Sequence, residues 1–522
     1  MRMTRKEFLK MTASGVAGAA VGAAAQAAGR QAEPGPRRRP NVLVIMTDQH
    51  RADLMGCAGS DAVPTPGIDA IAARGVRLTH AYCPYPVCVA SRMAMLTGLY
   101  SHTTGAITNE DRLDWRYRTI ANHFAASGYL TALLGKMHFL DAHNHGFEYY
   151  LSINDWLMYL GPKVQHYANE IASHPMGEHF FRTVYDHGAG LPDVVDLYLG
   201  KSPWVGHVER SDFRSIASKL AAEDHLDAFL ARETCKLLRR YRDQPFFVVC
   251  SFMKPHTPLF APKEFADRYP PEKVTLPPAG DIASYPPHIQ QRIRSHLKLD
   301  ERFRRAHMAG YLANLAFVDT CVAQVYGEME RLGLLENTIV VYTSDHGEMH
   351  GDHGLFQKFC LFEPAVRVPL IASWPGRLAQ GKTSDALTEL IGLYPTLLEL
   401  AGIDAPASTT LVDFDGAARQ MDARSFAAVL RDPAAPGPEA AFSEHALRAR
   451  SPQYMVRTKR WKYICNQGTK CELYDHAADP GETRNLIDDP ALRKTCTDLH
   501  DRLVAWYDPE KNPFRKAGGE KT

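Results

Sequence analysis

Cys88 and Arg92 stand four residues apart in the stretch Pro-Val-Cys-Val-Ala-Ser-Arg-Met-Ala-Met-Leu-Thr-Gly, residues 86–98. A helix opening over 91–96 puts both side chains near its first turn, with Thr97 and Gly98 at its end. A helix N-terminus carries free N–H groups and a partial positive charge, so it suits an anion. Arg92 there can steady the Cys88 side chain and face a tetrahedral oxyanion. Taken alone, such a cysteine also reads as a buried small hydrophobe. The rest of the chain favours chemistry. Polar clusters follow further apolar runs: Asp48-Gln49, Lys136 with His138, Lys254 with His256, and Asp345-His346, with Lys358 shortly beyond. Asp48, Gln49, Asp345 and His346 supply hard oxygen donors and one imidazole. That set suits Ca²⁺, Mg²⁺ or Mn²⁺ better than a thiolate zinc site. Lys136, His138, His256, Lys358 and Arg92 supply cations and proton donors. A metal ion and several basic groups around one nucleophile describe a site for a tetrahedral oxyanion ester.

Strands must bring these clusters together. Residues 41–46, Asn-Val-Leu-Val-Ile-Met, form a short continuous apolar run, as in a parallel strand buried on both faces. Runs at 129–134, 245–252, 338–342 and 368–374 read the same way. Helices are expected near 65–74, 119–128, 224–240, 306–331 and 394–400. Open α/β sheets bind ligands at the C-terminal edge of their strands, where the polar clusters begin. Residues 150–210 are irregular, rich in aromatic residues and histidine, and read as a substrate rim. Residues 259–300 are Pro-rich and read as a surface wrap. After about 410 the alternation weakens, 453–465 reads as antiparallel strands, and 490–507 as a terminal helix capped by Asp489. The expected fold is α/β: a large, mostly parallel mixed sheet flanked by helices, then a smaller C-terminal α+β region with an antiparallel sheet.

The chain has 522 residues, 45% hydrophobic and 23% charged, with a formal net charge of +1. That balance implies no nucleic-acid partner and no membrane-surface partner. No internal apolar run is long enough to span a bilayer. The first 30 residues differ. Thr4-Arg-Lys-Glu-Phe-Leu-Lys10 precedes an Ala- and Gly-rich stretch with small residues at 25–28, which reads as an export signal of twin-arginine type with Lys6 in the second arginine position, the alternative being an Ala-rich N-terminal helix. The expected organisation is a signal over 1–30, a linker over 31–39, a catalytic α/β domain over 40–410 and an α+β subdomain over 411–522. The location is then periplasmic or extracellular. The 10 cysteines form no CxxC zinc pattern. Cys465 and Cys471 bracket a hairpin turn and read equally as a bridge or as two thiols.

The motifs resemble the formylglycine-dependent sulfatases of the alkaline-phosphatase-like superfamily. The matching pieces are Pro40-Asn-Val-Leu-Val-Ile-Met-Thr-Asp48-Gln49, Cys88-Val-Ala-Ser-Arg92 with Leu96-Thr-Gly98, Gly135-Lys-Met-His138-Phe and Lys254-Pro-His256. Thr343-Ser-Asp-His-Gly-Glu348, Gly351-Asp-His-Gly354, Glu472-Leu-Tyr-Asp475 and Asp479-Pro-Gly-Glu-Thr483 follow in the family's order, over roughly 40–507. The resemblance implies that a maturation enzyme oxidises Cys88 to formylglycine (3-oxoalanine). One hydroxyl of its hydrate would attack sulfur, and the second would later eject sulfate. It also implies that Asp48, Gln49, Asp345, His346 and residue 88 bind the metal. Arg92 would stabilise the formylglycine, Lys136 and Lys358 hold sulfate, His138 assist elimination and His256 protonate the leaving oxygen.

Two departures from the family pattern stand out. Ala90 replaces the commoner proline of Cys-x-Pro-Ser-Arg, which leaves the maturation system open. Asp48-Gln49 and Asp345-His346 replace the commoner Asp-Asp and Asp-Asn, as in choline-sulfatases, iduronate-sulfatases and phosphonate monoester hydrolases. Cys83 is no rival nucleophile, because Val87 stands four residues past it. The expected activity is hydrolysis of a sulfate monoester, on a sulfated small molecule, sugar or glycan. A phosphonate monoester or phosphodiester hydrolase with the same nucleophile, and a non-catalytic binding protein, are the alternatives.

Overall fold

The run expected at 41–46 is a strand, β1 (Asn41–Asp48), and every residue of it is buried. Side chains alternate across a strand. Val42, Val44 and Met46 enter one apolar core, Leu43 and Ile45 the other. Burial on both faces is why residues 42–46 are apolar throughout. The computed structural model describes residues 39–140, 143–161, 217–218, 220–257, 259–406 and 421–507. Within them, β2 (Gly75–Tyr82), β3 (Leu130–Gly135), β4 (Tyr149–Leu151), β5 (Phe246–Pro255), β6 (Thr338–Ser344), β7 (Leu370–Ser373) and β8 (Lys382–Glu389) complete an 8-stranded sheet ordered β4-β3-β5-β1-β6-β7-β2-β8. The centre is parallel: β3 with β4 and β5, and β1 with β5 and β6. β7 runs against both β6 and β2, while β2 and β8 are parallel.

Helices cover both faces. On one lie α1 (Pro66–Ala73), α4 (Leu226–Tyr241) and α6 (Glu301–Arg331), burying Ile68, Leu230 and Leu315. On the other lie α2 (Cys88–Thr97), α3 (Ile120–Ala126), α5 (Pro287–Leu297) and α7 (Leu393–Ala401), burying Met93, Phe124, Ile293 and Leu397. α6 is the one described helix long and apolar enough to cross a membrane, and 83% of its apolar window is buried inside the protein. Its Asp319 accepts hydrogen bonds from the N–H groups of Gly67 and Ile68, each at 2.9 Å, which holds the start of α1. Gly67 permits that approach, since a Cβ there would stand 2.6 Å from the Asp319 carbonyl oxygen.

The C-terminal sheet is antiparallel, with β9 (Ala441–His445), β10 (Gln453–Arg457), β11 (Trp461–Asn466) and β12 (Glu472–Asp475) in the order β12-β11-β10-β9. Met455 and Ile464 pair across β10 and β11 and join the core of the large sheet. Tyr454, Val456 and Tyr463 pack with Leu499 and Leu503 of α8 (Arg493–Trp506). Cys465 and Cys471 are half-buried thiols.

Some expectations need correction. β2 and β8 are strands without a continuous apolar run, because alternating polar residues interrupt their apolar face. Residues 150–161 are regular, forming the end of β4 and a helix over Ile153–Leu160. The C-terminal helix is interrupted: Asp489 caps a short 3-10 turn over Pro490–Leu492 by accepting from Ala491 N–H at 2.9 Å, and α8 follows. The export signal, nearly all of the linker, the boundary near 410 and most of the substrate rim lie outside the described residues.

Candidate active site

α2 begins at Cys88, three residues before the expected start, after Val87 in an extended conformation. Ser91, the expected opening of the helix, lies inside its first turn. Its hydroxyl donates to the Asp345 carbonyl at 2.5 Å, and its N–H bonds to Val87 O at 2.9 Å. Cys88 is therefore the first helical residue and sits at the positive end of the helix.

The strand order explains the convergence. β3, β5, β1 and β6 are consecutive neighbours and run parallel, so their C-terminal ends share one edge. Lys136 follows β3, His256 follows β5, Asp48 ends β1, and Asp345 and His346 follow β6. Cys88 Sγ lies 3.2 Å from His346 Nε2, and 3.8 Å from both Asp48 Oδ1 and Lys358 Nζ. Lys358 Nζ also lies 2.7 Å from Gln49 Oε1 and 2.8 Å from His256 Nε2. Lys136 Nζ is 2.6 Å from Asp48 Oδ2. The ring nitrogens of His138 are buried with no partner of hydrogen-bond geometry, and the ring and Cys88 each shift the other's pKa. All ten expected residues thus meet in one place. Lys254 does not join them; its charge acts on Asp227 and His225.

Arg92 joins the site through its two acids. Its guanidinium donates to Asp48 Oδ2 at 2.9 Å, Asp345 Oδ2 at 2.8 Å, Ser251 Oγ at 2.8 Å and the Lys136 carbonyl. Arg92, Asp48 and Asp345 have no exposed side-chain surface. Arg92 therefore orders the two carboxylates and reaches Cys88 only through its charge. Breaking one arm of such a buried pair costs about 3–5 kcal/mol.

Electrostatics set Cys88 apart. Burial pushes its thiol up, but the charges of Lys136, Lys358 and His346 outweigh that and hold it well below the usual value. Cys83, five residues earlier and equally buried, is pushed well above it by burial and Asp345. Burial and Cys88 push Asp48 up, and Lys136, His256 and Arg92 pull it below the usual carboxylate range. Asp345 is raised, mainly by burial, against the pull of Arg92. Burial opposes a charged His346, yet Asp345 and Cys88 raise it. His256 is lowered to about 4 by burial and the neighbouring Lys358.

Two supporting residues had no sequence signal of their own. Ser251 lies inside the apolar run of β5 and bonds Arg92. Glu348 stands in the quoted Thr343–Glu348 motif without an assigned role. Its buried carboxylate accepts from Gln49 Nε2 and Gln357 N–H, and from His350 N–H at 3.1 Å. That fixes the Gln49 amide so that Oε1 turns toward Lys358. Gln49 itself sits at φ 68, a strained conformation for a residue with a side chain.

The donor atoms of Asp48, Cys88, Asp345 and His346 all lie within 4.8 Å of one another. Two carboxylates, an imidazole and the nearby Gln49 oxygen fit a hard divalent cation. A buried thiol whose pKa the surrounding cations depress, beside such donors, suits a tetrahedral oxyanion ester. The profile described as "Sulfatase" matches residues 40–403, and the chain belongs to that family of hydrolases. A second profile, "N-sulphoglucosamine sulphohydrolase, C-terminal", matches 351–508. An arylsulfatase of Clostridium perfringens is 29% identical over 481 residues, 89% of this chain and 94% of that protein. An N-acetylglucosamine-6-O-sulfatase of Bacteroides thetaiotaomicron is 26% identical over 496 residues, 86% and 83% of the two chains. Among solved structures, the phosphonate monoester hydrolase of Agrobacterium radiobacter aligns with a TM-score of 0.72 at 23% identity, over 90% of this chain and 95% of that one. That likeness establishes the alkaline-phosphatase-like fold.

Proposed function

We propose that the protein is an exported sulfatase that hydrolyses the sulfate monoester of a sugar or glycan fragment. The observation that carries the reading is the convergence of Asp48, Cys88, Asp345 and His346 within 4.8 Å, ringed by Lys136, Lys358, His138 and His256. A non-catalytic binding protein has no need of such a complete set. The relative named for a sugar sulfate supports the substrate class, and the N-terminal signal in the sequence supports the location.

Oxidised by a maturation enzyme to formylglycine, residue 88 would supply the attacking oxygen from its hydrate, and Asp48, Gln49, Asp345 and His346 would hold a Ca²⁺ (or Mg²⁺ or Mn²⁺) that would acidify it. Lys136 and Lys358 flank residue 88 and hold the sulfate oxygens as charge builds on them, each contributing about 10²–10³-fold. Arg92 keeps the Asp48 and Asp345 carboxylates aimed inward. His256 is neutral near pH 7 while the site holds no ligand. A bound sulfate beside Lys358 offsets that lysine's charge, raises His256, and lets it protonate the leaving oxygen, a step worth about 10²–10⁴-fold. His138, with its unpartnered ring nitrogens against residue 88, takes the proton whose loss releases sulfate.

The test is the ratio of kcat/KM on 4-nitrophenyl sulfate to that on phenyl phenylphosphonate. A ratio well above one supports the sulfatase reading. A ratio below one assigns the site to phosphonate monoesters or phosphodiesters, which the same groups could hold.

A further inference from the structure

Lys358 reaches the site from an irregular turn, residues 356–359. Gln357 at φ 64 and Phe359 at φ 68 both occupy the left-handed region, which residues with a Cβ rarely adopt. Such a turn persists only where its surroundings hold it. Each of its carbonyls has a donor. Gln357 O accepts from Met349 N–H at 2.9 Å. The other three meet one side chain, Arg292 of α5. Its Nη2 donates to Phe356 O at 2.7 Å and to Lys358 O, and its Nη1 to Phe359 O at 2.9 Å. The guanidinium also stands 5.8 Å from the Phe359 ring centroid. Among the described residues no carboxylate pairs with Arg292. On the opposite side, Glu348 accepts from Gln357 N–H.

We propose that Arg292 is a positioning residue: it clamps the 356–359 turn so that Lys358 Nζ stays fixed beside residue 88. The fork of a guanidinium suits this task. Its five N–H groups lie in one plane and reach several carbonyls at once, whereas an ammonium is a point donor. Arg292 therefore acts through the turn rather than on the substrate. The proposal rests on the reading of Lys358 as a group that holds sulfate.

The experiment compares R292M, R292K and K358M as metal-loaded enzyme with 4-nitrophenyl sulfate, and with inorganic sulfate as inhibitor. R292M is expected to raise KM and to weaken sulfate inhibition, each about tenfold, with a smaller change in kcat. Its calorimetric Ca²⁺ affinity should match wild type, and low guanidinium chloride should restore part of the lost sulfate affinity. R292K should recover little, because it keeps the charge and loses the fork; if R292M does not fold, its severalfold rise in KM carries the test. K358M should show the same losses without a guanidinium response. Wild-type KM and sulfate inhibition in both Arg292 variants would overturn the proposal. So would a loss accompanied by weaker Ca²⁺ binding and lower thermal stability, with no guanidinium rescue, since that pattern marks a general structural role. Wild-type kinetics in K358M would remove the underlying role of Lys358, and this inference with it.

Discussion

Two buried clusters could hold a metal by their donor atoms: Asp48, Cys88, Asp345 and His346 in the first, Glu363, His476 and Glu482 in the second. They lie on neighbouring segments of chain, since Glu363 follows Lys358 by five residues. Their centres differ. In the second, Lys462 Nζ stands between the acids, 2.7 Å from Glu482 and 3.1 Å from Glu363. Arg457 and Arg367 each approach Glu363 at 3.4 Å, and Glu482 accepts from the Glu363 N–H at 2.6 Å. The charges are paired and the cation is already inside. In the first, Arg92 and Lys136 take the Oδ2 oxygens of the acids from outside, and Asp48 Oδ1 is left facing Cys88. Buried charge alone therefore does not mark a site. What sets the first cluster apart is that its cations surround a buried thiol whose pKa they depress, whereas in the second they only neutralise acids. The second cluster ties the C-terminal sheet to the segment after Lys358, and its work is structural.

The largest expected contrast is between removing a centre from each cluster. Cys88→Ala should lower turnover of 4-nitrophenyl sulfate at least about 10⁴-fold, with a denaturation midpoint near wild type. Lys462→Met should do the reverse, costing about 3–5 kcal/mol in urea denaturation while kcat/KM per folded molecule holds. Lost activity in folded Lys462→Met protein would break the division. Next in size is metal removal. Exhaustive chelation should abolish activity, with recovery on adding Ca²⁺ or Mg²⁺, and the destabilisation by Lys462→Met should be the same with and without metal, as for independent sites. A dependence on metal would place the ion in the second cluster.

The smallest effect is on acid stability. Glu363 and Glu482 are both held below the usual glutamate value: burial pushes each up, and Lys462 leads the charges that pull it back down. Groups with depressed folded pKa values contribute stability that is fully present above their unfolded value, 4.5 here, and is lost as pH falls through the folded values. Urea midpoints should therefore fall on acidification below about pH 4.5. In Lys462→Met, where the two carboxylates lose their main counter-charge, that fall should begin at higher pH. An unshifted acid limb would show that Lys462 is not what holds them.

Much of the first cluster was legible in sequence. Buried parallel strands read as apolar runs, so the polar residues that end them stand out, and parallel order brings those ends to one edge. Cys88 and Arg92 lie on the same helix near its start, as their spacing implies, and that helix begins three residues before the expected point. The engagement of Arg92 by two carboxylates was not legible, because it depends on the packing of β1 against β6. The second cluster was not legible either. Lys462 and Arg457 lie in an alternating stretch where charges read as a solvated face, and Glu482 is 119 residues from Glu363. β2 and β8 were hidden for the same reason, since edge and half-polar strands lack a continuous apolar run.

The central claim is that the cations around Cys88 serve a modified residue 88. Trypsin cuts after Arg77 and Arg92, so one peptide carries both Cys83 and Cys88, and the buried, high-pKa Cys83 is the internal control. Fragment masses of that peptide, from protein made in its native host, test the claim directly. The expected result is an aldehyde or its hydrate at residue 88 and an unchanged thiol at residue 83. Two unmodified cysteines in protein that turns over sulfate esters would contradict it.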